Sequence, residues 1–163
     1  MQMNDSRRIA APREKVWAAL NDSNVLKQCI PGCQSLEMTA PNEMVATVTI
    51  KLGPVKATFN GKVTLLDIDP PNGYRIVGEG SGGVAGYAKG GANVRLEAES
   101  ADVTVLHYEV DSHVGGKLAQ LGSRMIDSVA KKLASQFFTA FGTALESPNC
   151  VEQALKTNES THV

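Results

Sequence analysis

The sequence predicts an α+β domain in which a curved antiparallel sheet wraps around one long C-terminal helix. Three observations carry this. Between residues 43 and 114, apolar residues recur at every second position with polar residues between them, the pattern of a sheet with one packed and one wet face. From Lys117 to Glu146 the apolar spacing changes to three and four, which is that of an amphipathic helix. The order is a strand, two short helices, about six strands and a long helix. A twisted sheet curling around the helix buries both apolar faces at once.

The elements follow in order. Arg7–Ala11 reads as a short strand. Pro12 then opens a helix at its first position, where a missing N–H costs nothing, and Glu14 in the first turn suits the helix dipole. Val16, Trp17 and Leu20 give this helix an apolar face, and a second helix, Asn24–Cys29, stops at Ile30-Pro31-Gly32. In Glu43–Leu52, Met44, Ala46, Val48, Ile50 and Leu52 share one face. In Val55–Asp69 the shared face is Val55, Ala57, Phe59, Val63 and Leu65, with Gly61 among them, where a bulge or bend is expected. Tyr74–Gly80, Tyr87–Ser100 and Val103–Val114 complete the strands. On the last helix, Leu118, Leu121, Met125, Val129, Leu133, Phe137, Phe141 and Ala144 form one stripe. Residues 147–163 read as a polar, flexible tail, leaving 1–146 as the domain.

Composition narrows the function classes. A chain of 163 residues suits one domain with a real core. A formal net charge of −1 and only 5% aromatic residues offer neither cations for a phosphate backbone nor platforms for bases, so no nucleic acid is expected. No apolar run approaches the ~20 residues of a membrane-spanning helix, and Met1 to Arg8 lacks the apolar stretch of a secretory signal. The expected location is the cytoplasm, with Cys29, Cys33 and Cys150 reduced. Without a basic amphipathic helix face, the chain is expected to stay off liposomes at physiological salt.

Several patterns invite a site. Gly78-Glu79-Gly80-Ser81-Gly82-Gly83 matches the spelling of a dinucleotide-binding loop. That chemistry needs a helix to begin there, whereas a strand follows. His107, Glu109, Asp111 and His113 alternate along one strand face. Residues two apart on a strand lie nearly 7 Å apart, too far for several to reach one metal ion, so a charged outer face is expected. Cys29-Ile30-Pro31-Gly32-Cys33 has neither the C-x-x-C spacing nor the second ligand pair of a zinc site, and reads as structural. Trp17 reads as helix-to-sheet packing. Gly78, Gly80, Ala88, Gly90 and Ala92 share the inward parity of Ile76 and Val94. Such small residues permit either close backbone packing or a pocket between sheet and helix.

Several blocks of the chain follow one another in a distinctive order: Ala11-Pro12-Arg13-Glu14-Lys15-Val16-Trp17 then Leu20, Cys29-Ile30-Pro31-Gly32-Cys33, Gly53-Pro54-Val55, Phe59-Asn60-Gly61-Lys62-Val63 and Asp67-Ile68-Asp69-Pro70-Pro71. Gly115-Gly116-Lys117-Leu118-Ala119-Gln120-Leu121-Gly122 and Phe137-Phe138 complete the series. Over about residues 7 to 146 these blocks resemble the CoxG family of carbon-monoxide dehydrogenase subunits, within the START-like (SRPBCC) superfamily. The resemblance implies a helix-grip (START-like) fold with an apolar cavity between sheet and last helix. It also implies an accessory role beside molybdenum carbon-monoxide dehydrogenases and related hydroxylases, through membrane recruitment or carriage of a respiratory quinone. Some members carry a C-terminal extension suited to membrane attachment; here a polar tail predicts no autonomous anchoring, only peripheral contact with the inner face of the cell membrane.

The leading expectation is a non-catalytic binder of a hydrophobic ligand, of the quinone class, with no required cofactor and with molybdenum dehydrogenase subunits as partners. Phe59, Tyr87, Tyr108, Val110, Leu118, Leu121, Met125 and Val129 are the candidate lining residues. Leu121 and Met125 are expected to border the cavity, with Leu133 and Phe137 deeper in closed core. The alternative is a ligand-free assembly or docking factor for the same dehydrogenase. An enzyme would need inward acids or bases, and strand parity turns scarcely any inward besides Tyr108.

Overall fold

A computed structural model describes residues 1–146; the expected tail at 147–163, with Cys150, lies outside the described residues. Seven strands form one antiparallel sheet: β1 (Gln2–Ile9), β2 (Cys33–Ala40), β3 (Glu43–Leu52), β4 (Val55–Asp69), β5 (Gly73–Ser81), β6 (Tyr87–Ser100) and β7 (Val103–Gly115). Helices α1 (Arg13–Leu20) and α2 (Ser23–Cys29) link β1 to β2, and α3 (Ser123–Glu146) follows β7. The strand order β1-β7-β6-β5-β4-β3-β2 sends β1 to the edge opposite β2. Sheet and α3 together make the helix-grip fold, with the sheet curved around the helix.

The expected boundaries hold closely for β3, β4, β6 and β7. Elsewhere the structure makes five corrections. β1 is longer and starts earlier than Arg7–Ala11; its polar run Gln2–Arg8 has little alternation, but β7 supplies a complete ladder from Gln2↔Asp111 to Ile9↔Thr104. Pro12 caps α1 rather than entering it, because its ψ of 150° is extended, while its carbonyl accepts the first helical bond from Val16 N–H at 3.0 Å. β2, whose limits the pattern did not define, is an edge strand with two register irregularities. Gly61 is regular, paired with Ala46 and Gly80, and the bulge falls instead at Leu66–Asp69, where Asp67 has a φ of 51°. The last helix begins at Ser123, since residues 116–121 form a 3₁₀ turn ended by Gly122.

Local chemistry explains the helix starts. The Asp22 carboxylate accepts from the N–H groups of Asn24 at 2.9 Å and Val25 at 3.4 Å, which caps α2. Gly122 has φ 87° and ψ 154°, a conformation that is almost exclusively glycine's, and its carbonyl accepts the first bond of α3 from Ile126.

Two packed regions stand apart. The larger joins α1, α2 and the end of α3 to the sheet through residues such as Val16, Leu20, Leu26, Leu106, Phe141 and Leu145. Trp17 packs there on Tyr74, with ring centroids 5.2 Å apart. The smaller one, Leu52, Ala57, Phe59, Ala85 and Leu118, sits where the β3–β4 turn meets the connections after β5 and β7.

Candidate functional site

Between the two packed regions lies a cavity of about 640 Å³ under α3. Strand alternation builds its floor. Val48 and Ile50 on β3, Val63 on β4, Ile76 on β5, Val94 on β6 and Val110 and Val114 on β7 all face it. These side chains are only half-buried, because they face open volume rather than neighbouring atoms. α3 supplies the roof through Ile126, Val129, Ala130, Leu133, Ala134, Phe137 and Phe138. Small residues keep it open: Ala46, Gly61, Gly80, Ala88 and Ala92 line the wall. Gly78 and Gly90 are paired across β5 and β6 and take no part in this wall, so the glycine-rich stretch serves both close packing and the pocket.

Five of the eight candidate residues line the cavity: Phe59, Tyr108, Val110, Leu118 and Val129. Three do not. Tyr87 lies on the other face of β6, since its neighbour Ala88 turns inward; it is 43% exposed, with its ring 6.5 Å from that of His113. Met125 is 36% exposed and meets the β3–β4 turn at Gly53, while Ile126 takes the inward place. Leu121 packs against the smaller core from the 3₁₀ turn. Leu121 departs from expectation because the break at Gly122 leaves it in the 3₁₀ turn, outside the helix, whereas Met125 lies in the first turn of α3 at the edge of the inward stripe. Leu133 and Phe137, expected in closed core, line the cavity wall instead, and Phe141, 0% exposed, is the closed core.

The lining is chemically plain. Among the described residues its polar side chains are the hydroxyls of Tyr74, Tyr108 and Ser112, and Met1 also lines it, with its amino group donating to the Ser112 carbonyl at 2.8 Å. Burial pushes the Tyr74 phenol up to about 12. Neither tyrosine hydroxyl has a hydrogen-bond partner among the described residues. Arg7, absent from the candidates, lies beside this wall with its guanidinium 5.5 Å from the centre of the Phe138 ring, which in turn stacks on Tyr108 at 5.1 Å. Its Nε is buried without a partner among the described residues. Met3 and Ile9 share its parity, so the full extent of β1 would have exposed this cation to a sequence reading.

The other patterns have structural roles. The glycine motif runs from β5 into a three-residue 3₁₀ turn, Gly83–Ala85, and not into a helix. His107 on β7 pairs with Glu97 on β6 at 3.2 Å. Among the described residues no three of His, Cys, Asp and Glu come together as a metal site. Cys29 is buried, and burial pushes the Cys33 thiol up against the opposing influence of Lys27. Among the described residues, no helix is long and apolar enough to cross a membrane.

Residues 6–146 match the family described as the G subunit of carbon monoxide dehydrogenase (CoxG). A conserved protein from Geobacillus kaustophilus has a crystal structure that superposes with a TM-score of 0.86 at 32% identity, over 91% of this chain and 97% of that one. A START superfamily protein from Mycobacterium smegmatis shares 14% identity with a TM-score of 0.68, over 89% and 97%. The Zhui aromatase/cyclase from a Streptomyces species shares 15% with a TM-score of 0.64, over 91% and 94%. At such identities the last two speak for the fold only. No curated protein sequence matches the chain.

Proposed function

The chain belongs to the CoxG family of carbon monoxide dehydrogenase subunits, and from that premise we propose that it is a non-catalytic accessory protein that carries a hydrophobic ligand of the respiratory-quinone class for a molybdenum dehydrogenase. The observation that carries the reading is the cavity: about 640 Å³, walled by aliphatic and aromatic side chains. That volume falls among those of small-molecule sites, roughly 300–1,000 Å³. The energetic motive is transfer. Exposing one five-carbon prenyl unit to water costs about 4 kcal/mol, at ~0.8 kcal/mol per methylene-sized group. Three units approach about 12 kcal/mol as an upper figure. A soluble dehydrogenase therefore cannot draw free quinone from water, and a lined cavity removes that barrier.

Non-catalysis rests on the lining. General acid–base work needs a carboxylate, imidazole or amine within reach of the substrate; among the described residues the side chains of the wall offer three hydroxyls, and the one amine beside it, that of Met1, is engaged by the Ser112 carbonyl. Carriage asks only for shape and apolar area, with the Tyr74 and Tyr108 hydroxyls available to a quinone carbonyl.

The test is quinone uptake from liposomes, read by solvent extraction and absorbance, with native mass spectrometry of the purified chain. Ala92, on the interior strand β6, lines the cavity. Ala92→Trp is expected to fold and to lose uptake, because the indole occupies existing space. In close-packed core the same change would cost about 1–3 kcal/mol through overpacking. Unfolding of Ala92→Trp, or uptake equal to the parent's, would overturn the reading. No uptake by the parent would leave the ligand-free docking factor in its place.

A further inference from the structure

β1 is an edge strand, paired with β7 on one flank only. Its ladder from Gln2↔Asp111 to Ile9↔Thr104 has no register shift, whereas β2, the opposite edge, has two. Irregularities blunt an edge, and a regular strand stays open to another. The hydrogen bonds tell which backbone groups of β1 face its open flank. Met1 and Ser112 exchange two bonds of 2.8 Å, the amino group donating to the Ser112 carbonyl and the Met1 carbonyl accepting from the Ser112 N–H. Such pairs alternate along an antiparallel ladder, so Met3, Asp5, Arg7 and Ile9 also turn their backbone groups to β7. Gln2, Asn4, Ser6 and Arg8 turn theirs to the open flank, and all four residues are exposed. Two bonds agree with this parity. The Ser6 N–H donates to the Asp5 carboxylate at 2.8 Å, and the Ala10 N–H donates to Glu146 of α3 at 2.7 Å, which closes that end of the flank.

The inward face of the same strand carries opposite charges on either side of Ser6. Asp5 stands opposite Tyr108 and Arg7 opposite Leu106 in the ladder. Asp5 is exposed and Arg7 half-buried, and neither is in an ion pair among the described residues. Such a strand is complementary to itself. Turned about an axis through Ser6, it sets Asp5 of each copy opposite Arg7 of the other. The same turn brings Ser6 opposite Ser6 and Asn4 opposite Arg8, the residues whose backbone groups face the open flank. Sliding the two strands by two residues would set Asp5 on Asp5 or Arg7 on Arg7. Sliding them by one would oppose backbone groups that β7 already holds. One register satisfies both charge and backbone.

We propose that the chain forms a two-fold dimer in which β1 pairs antiparallel with β1 of a second copy, joining the two sheets into one. Charge on an edge strand ordinarily keeps other strands away. Opposite signs placed evenly about Ser6 exclude a foreign strand and admit an identical one. The two-fold axis makes the surface meet itself, and it brings Arg7 a carboxylate where its Nε is now buried without a partner among the described residues. The seam runs beside the cavity, since Met3 of β1 and Phe138, over which Arg7 lies, belong to the cavity wall. The dimer does not depend on what the cavity holds.

The experiment is sedimentation velocity of the full chain over about 1–100 μM, the range that reads a micromolar Kd, with native mass spectrometry of mixtures. The parent is expected to pass from monomer to dimer as concentration rises. Ser6→Pro should stay folded and monomeric, because an edge strand tolerates proline where the N–H faces outward. D5R or R7D alone should raise the Kd about tenfold or more by setting like charges opposite each other. D5R/R7D exchanges the pair and should restore the parent's Kd to within about threefold, and D5R mixed with R7D should form the heterodimer. Circular dichroism checks the fold of each variant, and D5R, a change of an exposed side chain, decides even where R7D loses stability at Phe138. A parent that stays monomeric, a dimer indifferent to Ser6→Pro, or a D5R dimer as tight as the parent's would each overturn the proposal. Folded D5R and R7D that do not pair with each other would overturn it too.

Discussion

Tyr74 shows how much one side chain can reveal about the wall it belongs to. It opens the inward face of β5, packs on Trp17 and is 7% exposed. Its phenol is pushed up to about 12 by burial, with no hydrogen bond contributing. An unfolded tyrosine ionises near ~10, so between these values the folded chain holds a proton that the unfolded chain has lost. Stability from this group is full below about pH 10 and falls as pH rises toward about 12, by about 2–3 kcal/mol in total. Thermal melts across that range should show the parent losing stability more steeply than Tyr74→Phe; parallel curves would mean the phenol reaches solvent in the fold. The same strand logic explains why Tyr87 stands outside the cavity. Aromatic character suggests a lining role, but on a strand the parity of the position decides, and parity gives the wall to Ala88.

At the scale of the element, α3 and its entrance carry the main lesson. From Lys117 onward the apolar spacing is continuous through Gly122, so periodicity reads one helix where there are two segments with different screws. A 3₁₀ turn advances three residues per turn and an α-helix 3.6, so a stripe cannot pass from one into the other in phase. The break is held by backbone, since Gly122 combines φ 87° with ψ 154° and a Cβ there would meet nothing within 4 Å. Gly122→Ala should therefore destabilise the domain by about 1–3 kcal/mol through conformation alone. Urea titration measures this, and a neutral substitution would show that the chain runs on as helix from Lys117. By contrast β3, β4, β6 and β7 are legible, because each alternates without interruption. β1 and β2, the two edges of the sheet, lack that signal and owe their extent to β7 and β3.

Over the whole molecule, the fold is two packed ends holding a cavity between them. An internal void lost on unfolding makes the volume change of unfolding more negative. Pressure should therefore unfold the parent more readily than Ala92→Trp, whose indole fills the void, even where their melting temperatures agree. High-pressure NMR would read the two midpoints; coincident values would indicate that the cavity is water-filled and closed to the indole. The fold class, the curved antiparallel sheet and the inward face of each central strand were written in the sequence, because alternation and helical spacing are local and survive without knowledge of neighbours. The cavity was not. Small inward residues are compatible with close packing or with a void, and only the distance that the two packed ends impose between α3 and the sheet decided for a void.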